Sequence, residues 1–246
     1  MKIIGVMGRD GVGKRTVGKL VVELTGGEAI TFADPIRELA SQVFELDDRL
    51  DEGQNGQPER RITSVVDPLV RGRVRERMAN EEVLDRVRAL LPSTSDEEVG
   101  DASRKLQDVV EMLLAEADAN GYLTVERVLQ AIGLEFGQAV NENIWVAETF
   151  RRAERLLAEG TPAVVITDCR TEIEAKAFRR RGRLWHVLGP VTGPKLDMST
   201  EPEVAMKFAS ARFFNDGPMK RLRHNVEILL RMENLLSEGT ELRRCG

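Results

Sequence analysis

The chain has 246 residues, 41% of them hydrophobic and 31% charged, with a formal net charge of −5. That length and apolar content suit one α/β domain with an elaborated insert, or two small domains, and argue against wholesale disorder. The negative charge argues against broad sequence-independent binding to duplex nucleic acid, which needs a basic footprint.

In chain order, Ile3-Ile4-Gly5-Val6-Met7 is a short, nearly all-apolar run, as expected of a strand buried on both faces. It is too short for a signal peptide or a membrane span, and no later run is long enough, so a cytosolic protein is expected. After the glycines, Val17, Leu20, Val21 and Leu24 mark a helix that Gly26 and Gly27 stop. A second strand is expected over 29–32. Asp34-Pro35 then reads as a helix N-cap with proline at N1, and Ile36, Leu39, Ala40 and Val43 carry the buried face.

The character changes over 46–120, which reads as a helical insert: a lid, an acceptor cover or a dimer contact. It opens with the loop-like Gly53-Gln54-Asn55-Gly56-Gln57-Pro58 and the basic run Arg71-Gly72-Arg73-Val74-Arg75-Glu76-Arg77. The ordinary reading of that run is a solvated helix face; the alternative is a nucleic-acid contact. Two helices follow, one carrying Val83, Leu84, Val87 and Leu91, the other Leu106, Val109, Val110, Leu113, Leu114 and Ala117.

Thr124 can cap the next helix, whose stripe is Val125, Val128, Leu129, Ile132 and Phe136, leaving Arg127 and Gln130 together on another face. A helix over about 143–159 precedes the buried strand Ala163-Val164-Val165-Ile166-Thr167-Asp168. Thr171 and Glu174 have capping-box spacing and open another helix. Strands over 184–188 and 212–214 and a helix over about 218–236 close the chain. Alternating strands and helices predict a parallel sheet with helices on both faces. The two cysteines, Cys169 and Cys245, follow no metal or disulfide spacing and suit a reducing compartment. His186 and His224 have no plausible catalytic partner nearby in sequence and read as structural.

Gly8-Arg9-Asp10-Gly11-Val12-Gly13-Lys14 matches G-x-x-x-x-G-K between an expected strand and an expected helix, the context a phosphate-binding P-loop requires. Its backbone N–H groups, the helix terminus and the Lys14 ammonium would all face phosphate. The position after the lysine should carry the hydroxyl that ligates magnesium, but Arg15 stands there. Thr16, one residue on, points about 100° away and is no simple replacement. Either Asp168 and water hold the metal, or the loop binds phosphate without efficient catalysis. Asp168 ends its strand as a Walker-B-like carboxylate or as a loop cap. Arg170 is a phosphate clamp or a solvated surface arginine.

These segments together resemble the bacteriophage-type deoxynucleoside monophosphate kinases of the P-loop superfamily. The likeness covers the first ~45 residues and roughly 123–236. It is carried by 8–16, Phe32-Ala33-Asp34-Pro35-Ile36-Arg37, the run 127–137, Asn143-Ile144-Trp145-Val146, Ile166-Thr167-Asp168-Cys169-Arg170, and Asn215-Asp216-Gly217. The resemblance implies a five-stranded P-loop kinase fold in which Gly8, Gly11, Val12, Gly13, Lys14, Arg15 and Thr16 meet ATP. It places Ala33, Asp34, Pro35, Arg37, Arg127, Gln130, Glu135, Trp145 and Arg170 around the acceptor nucleotide. Lys14, Asp168 and Arg170 would serve catalysis, with Mg2+ entering with ATP and Asp168 as its ligand. A phage origin would put the protein in bacterial host cytoplasm, with a homodimer as one arrangement. The family often has an acid where Arg15 stands, and His-x-Ser-Glu where this chain has Met198-Ser199-Thr200-Glu201. A dephospho-coenzyme A kinase-like enzyme and a nucleotide-binding module with weakened catalysis are the rival readings.

Overall fold

The computed structural model describes residues 2–46, 61–92, 94–190 and 207–236. The expected loop at 53–58, the Met198–Glu201 run and Cys245 lie outside them. The chain divides into two compact units, one of residues 1–32 and 149–246, the other of 33–148. The 46–120 segment falls within the second, together with 33–45 and 121–148.

The first unit is built on a five-stranded parallel sheet of order β2-β5-β1-β6-β7. Its strands are β1 (Ile3–Met7), β2 (Glu28–Ile30), β5 (Val164–Cys169), β6 (Arg183–Leu188) and β7 (Ala211–Phe214). β1 is central and wholly buried, which explains its uninterrupted apolar sequence. Alternate residues serve opposite faces. Ile4 and Val6 join Val17, Leu20 and Val21 of α1 (Lys14–Thr25), Trp185 and Val187 of β6, and Leu222, Val226 and Leu230 of α10 (Met219–Met232). On the other face, a Cβ at Gly5 would stand 2.4 Å from the ring of Phe178, so only glycine lets α9 (Glu172–Arg181) sit this close. Phe178 meets Phe150 edge-on at 5.0 Å and Phe32 at 6.2 Å, closing that layer.

The second unit is helical, with a small antiparallel ribbon of β3 (Arg61–Ile62) and β4 (Leu123–Thr124). Its helices are α2 (Asp34–Phe44), α3 (Pro68–Met78), α4 (Glu81–Leu90), α5 (Asp96–Asn120), α6 (Val125–Gln130) and α7 (Gly137–Val140). α5 is started by a reciprocal capping box between Ser95 and Glu98. Its Leu106, Val110, Leu113 and Leu114 are buried in the core it shares with α4 and residues 131–140, each stabilising by roughly 1.5–3 kcal/mol. The basic run lies on α3 and is matched by acids of α5: Arg75 makes two 2.7 Å bonds to Glu111, and Arg71 pairs with Asp118. That pairing favours the solvated-face reading of the run.

α8 (Ile144–Ala158) carries the chain from the second unit back into the first. Among the described residues, no helix is long and apolar enough to cross a membrane.

Three local expectations are corrected. The second strand is Glu28–Ile30 rather than 29–32, because Phe32 turns into the aromatic cluster. Ala33, not Asp34, is the N-cap of α2; it has helical φ and ψ, and Asp34 enters the first turn and pairs with Arg37 at 3.3 Å. The helix from Thr124 is not regular, because Ala131–Phe136 forms a π-turn between α6 and α7. Thr124 does cap its start, accepting from Arg127 N at 3.1 Å.

Candidate functional site

The residues of the glycine loop meet at the carboxyl end of β1. From β1 the chain runs to β2 and β5 on one side, then to β6 and β7 on the other. In an open parallel sheet such a reversal leaves a crevice at the strand ends, where ligands bind. Residues 8–13 fill the turn between β1 and α1.

Two glycines make the turn possible. At Gly8, φ is +154° and a Cβ would lie 2.6 Å from the Val187 carbonyl oxygen. At Gly13, φ is +99° and a Cβ would lie 2.4 Å from Asn215 Nδ2, which donates to Val12 O at 2.9 Å and ties the loop to the end of β7. Gly13→Ala is therefore expected to destabilise the protein by about 1–3 kcal/mol. A melting curve with an unchanged midpoint would contradict this. Gly13 O accepts from Val17 N at 3.0 Å, beginning the helical ladder, so the amides just before Val17 have no intrahelical acceptor.

Lys14 is 8% exposed. Its Nζ donates to the carbonyls of Gly8 and Arg9 and to Asp10 Oδ1, the last two at 3.1 Å. Arg170 approaches the same Asp10 oxygen at 3.3 Å, so the carboxylate bridges the two cations. Burial pushes Asp10 up, but the bond from Lys14 and the charges of Arg170, Lys14 and Arg15 outweigh it and hold the carboxyl below its usual range. The group is thus ionised at neutral pH.

Asp168 is half-buried at the end of β5, and its Oδ1 accepts from Phe32 N at 2.7 Å. Arg15 is exposed, and Thr16 is half-buried on the first turn of α1. Glu174 is the capping-box partner of Thr171, and it also accepts from Arg170 N at 2.6 Å. Burial raises the Glu174 carboxyl above its ordinary value, against the pull of the Arg170 and Thr171 N–H groups.

Beside the loop lies a cavity of about 430 Å³ lined by Arg9, Val12, His186, Leu188, Pro190 and Phe214, among others. Its size falls in the range of small-molecule sites, about 300–1,000 Å³.

Of the residues expected around the acceptor, Arg170 belongs to the first unit. Ala33, Asp34, Pro35, Arg37, Arg127, Gln130, Glu135 and Trp145 all belong to the second. There, Arg127 is held by Glu116 through Nε at 2.9 Å and Nη2 at 2.7 Å, and by Glu135 through Nη1 at 2.6 Å. One cation between two carboxylates leaves a net charge of −1, a poor environment for a phosphate. Gln130 is exposed on the same helix. Trp145 is 7% exposed, donates from Nε1 to Gly133 O at 2.8 Å, and packs on Phe136. It is a core residue of that unit.

Sequence reasoning gave no role to Asp10, Asn215 or the cavity-lining His186. Asn215 carried a signal, since Asn215-Asp216-Gly217 is a turn following a strand, and Asp10 stands four residues before Lys14 inside the glycine motif; the place of His186 depends on long-range contacts. No protein-family model matches this sequence, and no curated protein matches it.

Proposed function

We propose that the chain is a P-loop kinase that transfers the γ-phosphoryl group of ATP to a deoxynucleoside 5′-monophosphate. The observation that carries this reading is the Lys14 ammonium, folded into a glycine loop at the sheet's reversal point with Arg170 across from it. A polyphosphate entering that turn would replace Asp10 as the anion between the two cations and meet the positive end of α1. The adjoining cavity is large enough for the donor's base. In the reaction an acceptor phosphate oxygen would attack the γ-phosphorus while the bond to the β–γ bridging oxygen breaks, giving a deoxynucleoside diphosphate and ADP. Catalysis of this kind is mostly positioning and charge stabilisation.

The donor chemistry fits magnesium brought in with the nucleotide. That ion needs only one or two protein carboxylates, with phosphates and water completing its shell. Asp168 would hold it, oriented by the Phe32 N–H. Once bound, the ion neutralises charge on the phosphate chain. Among the described residues there is no group of three or more His, Cys, Asp or Glu side chains that could hold a metal.

The acceptor assignment rests on the family resemblance, with Arg170 as the phosphate anchor. Arg127 acts in this reading through the helix it fixes between Glu116 and Glu135. A second reading, a nucleotide-binding module with weakened catalysis, is favoured by Arg15 and by the acid-bound state of Arg127. The deciding assay couples ADP release to a panel of four deoxy- and four ribonucleoside monophosphates, with dephospho-coenzyme A as control. Turnover is expected on at least one deoxynucleotide. Turnover on dephospho-coenzyme A alone, or ATP binding without any turnover, would remove the assignment.

A further inference from the structure

His186 lies on β6 between Met7 of β1 and Arg212 of β7, in the wall of the cavity beside the glycine loop. It is 7% exposed, and its Nδ1 is buried with no hydrogen-bond partner among the described residues. The neighbouring Trp185 belongs to the apolar core against α1 and α10, and Val187, of the same core, borders the cavity without a polar side chain. A buried ring nitrogen left unpaired is costly and calls for a reason. An apolar site typically carries a few placed polar groups that fix the orientation of its ligand. His186 is the buried one of the polar groups in a wall that also holds Arg9 and Asp216 and is otherwise apolar, with Val12, Leu188 and Phe214.

We propose that His186 is the specificity-determining residue of this cavity, hydrogen-bonding the heteroaromatic base of the donor nucleotide. This rests on the phosphate-loop reading and adds to it a residue that selects the base rather than the phosphates. Burial, and then the positive charge of Arg212, hold the imidazole below its ordinary pKa, so it is neutral at neutral pH. A neutral imidazole offers one donor and one acceptor, which is what the mixed edge of a nucleobase requires. A bare polyphosphate held in the glycine loop lacks the base that would reach the cavity and so leaves His186 without that partner.

The test compares ATP with inorganic tripolyphosphate, each with magnesium, by calorimetry on the full chain, His186→Leu and His186→Gln. Melting midpoints check that both variants are folded. His186→Leu is expected to weaken ATP about tenfold, the loss of one buried hydrogen bond, and to leave tripolyphosphate unchanged. His186→Gln, which restores a donor and an acceptor, should recover part of the loss. Unchanged ATP affinity in His186→Leu overturns the inference while leaving the loop reading intact. Equal weakening of ATP and tripolyphosphate also overturns it, because His186 would then act only through the loop. If the parent protein binds neither ligand, the loop reading itself fails and takes this inference with it.

Discussion

Lys14→Met is expected to weaken ATP binding by about a hundredfold and to remove measurable turnover. Methionine matches the lysine stem in length and flexibility, so the buried channel beside α1 stays filled and the fold is kept. What is lost is one positive charge among phosphates. At an effective dielectric of about 20, a unit charge 4 Å from a phosphate oxygen contributes about 4 kcal/mol. Part of that is offset, because the ammonium must first leave the carbonyls of Gly8 and Arg9 and the Asp10 carboxylate. The remainder is about 3 kcal/mol, or roughly a hundredfold in affinity. Removing Lys14 also leaves Asp10 with only Arg170 in contact and Arg15 nearby to balance it, next to the incoming anion. Calorimetry on the parent and variant decides the matter. Equal affinities would mean that the glycine loop does not hold the donor phosphates.

What the sequence made legible was local. Residues 8–14 lie in one turn between one strand and one helix, so spacing alone brought the glycines and the lysine together. The Thr171–Glu174 capping box and the Thr124 cap were legible for the same reason, each spanning three residues. Asp34-Pro35 was equally local yet misleading, because an acid before proline suits either the cap or the first turn, and pairing with Arg37 favours the second.

The rest depends on contacts across long stretches of chain. The stripe from Val125 to Phe136 fits a regular helix, and nothing in it signals the π-turn. In the structure, Trp145 donates to the Gly133 carbonyl within that turn, and Ile36 packs 3.2 Å from where a Gly133 Cβ would stand. Irregular helical turns of this kind leave a carbonyl available for such a bond. The ribbon pairing Ile62 with Leu123 joins segments about sixty residues apart, and two residues per strand carry no periodicity. In the site, Asn215 reaches Val12 across 203 positions, and Asp168 reaches Phe32 across 136. Arg127 could be placed on a face with Gln130 but not with its partners, because Glu116 and Glu135 come from α5 and from the turn after α6.

Asp168→Asn is expected to cut magnesium-dependent turnover by roughly a hundredfold or more, the scale seen when one electrostatic contact to the reacting phosphate is lost. The substitution separates two roles of the same side chain. An asparagine oxygen can still accept the Phe32 N–H that Asp168 Oδ1 holds at 2.7 Å, so the strand end keeps its geometry and the melting midpoint should hardly move. The charge disappears and the second oxygen becomes an NH2 donor, so the carboxylate that would hold magnesium is lost. Arg15→Ala should change turnover far less, because that side chain is exposed on the first turn of α1. Full activity in Asp168→Asn would make the carboxylate structural, with the Phe32 N–H among its partners. Arg15→Ser completes the comparison by restoring the hydroxyl that a phosphate loop ordinarily offers to magnesium. A sharp gain there would show that the natural chain is a kinase weakened at its metal site. An unchanged rate beside a crippled Asp168→Asn would place the metal on the carboxylate, with arginine at position 15 costing nothing.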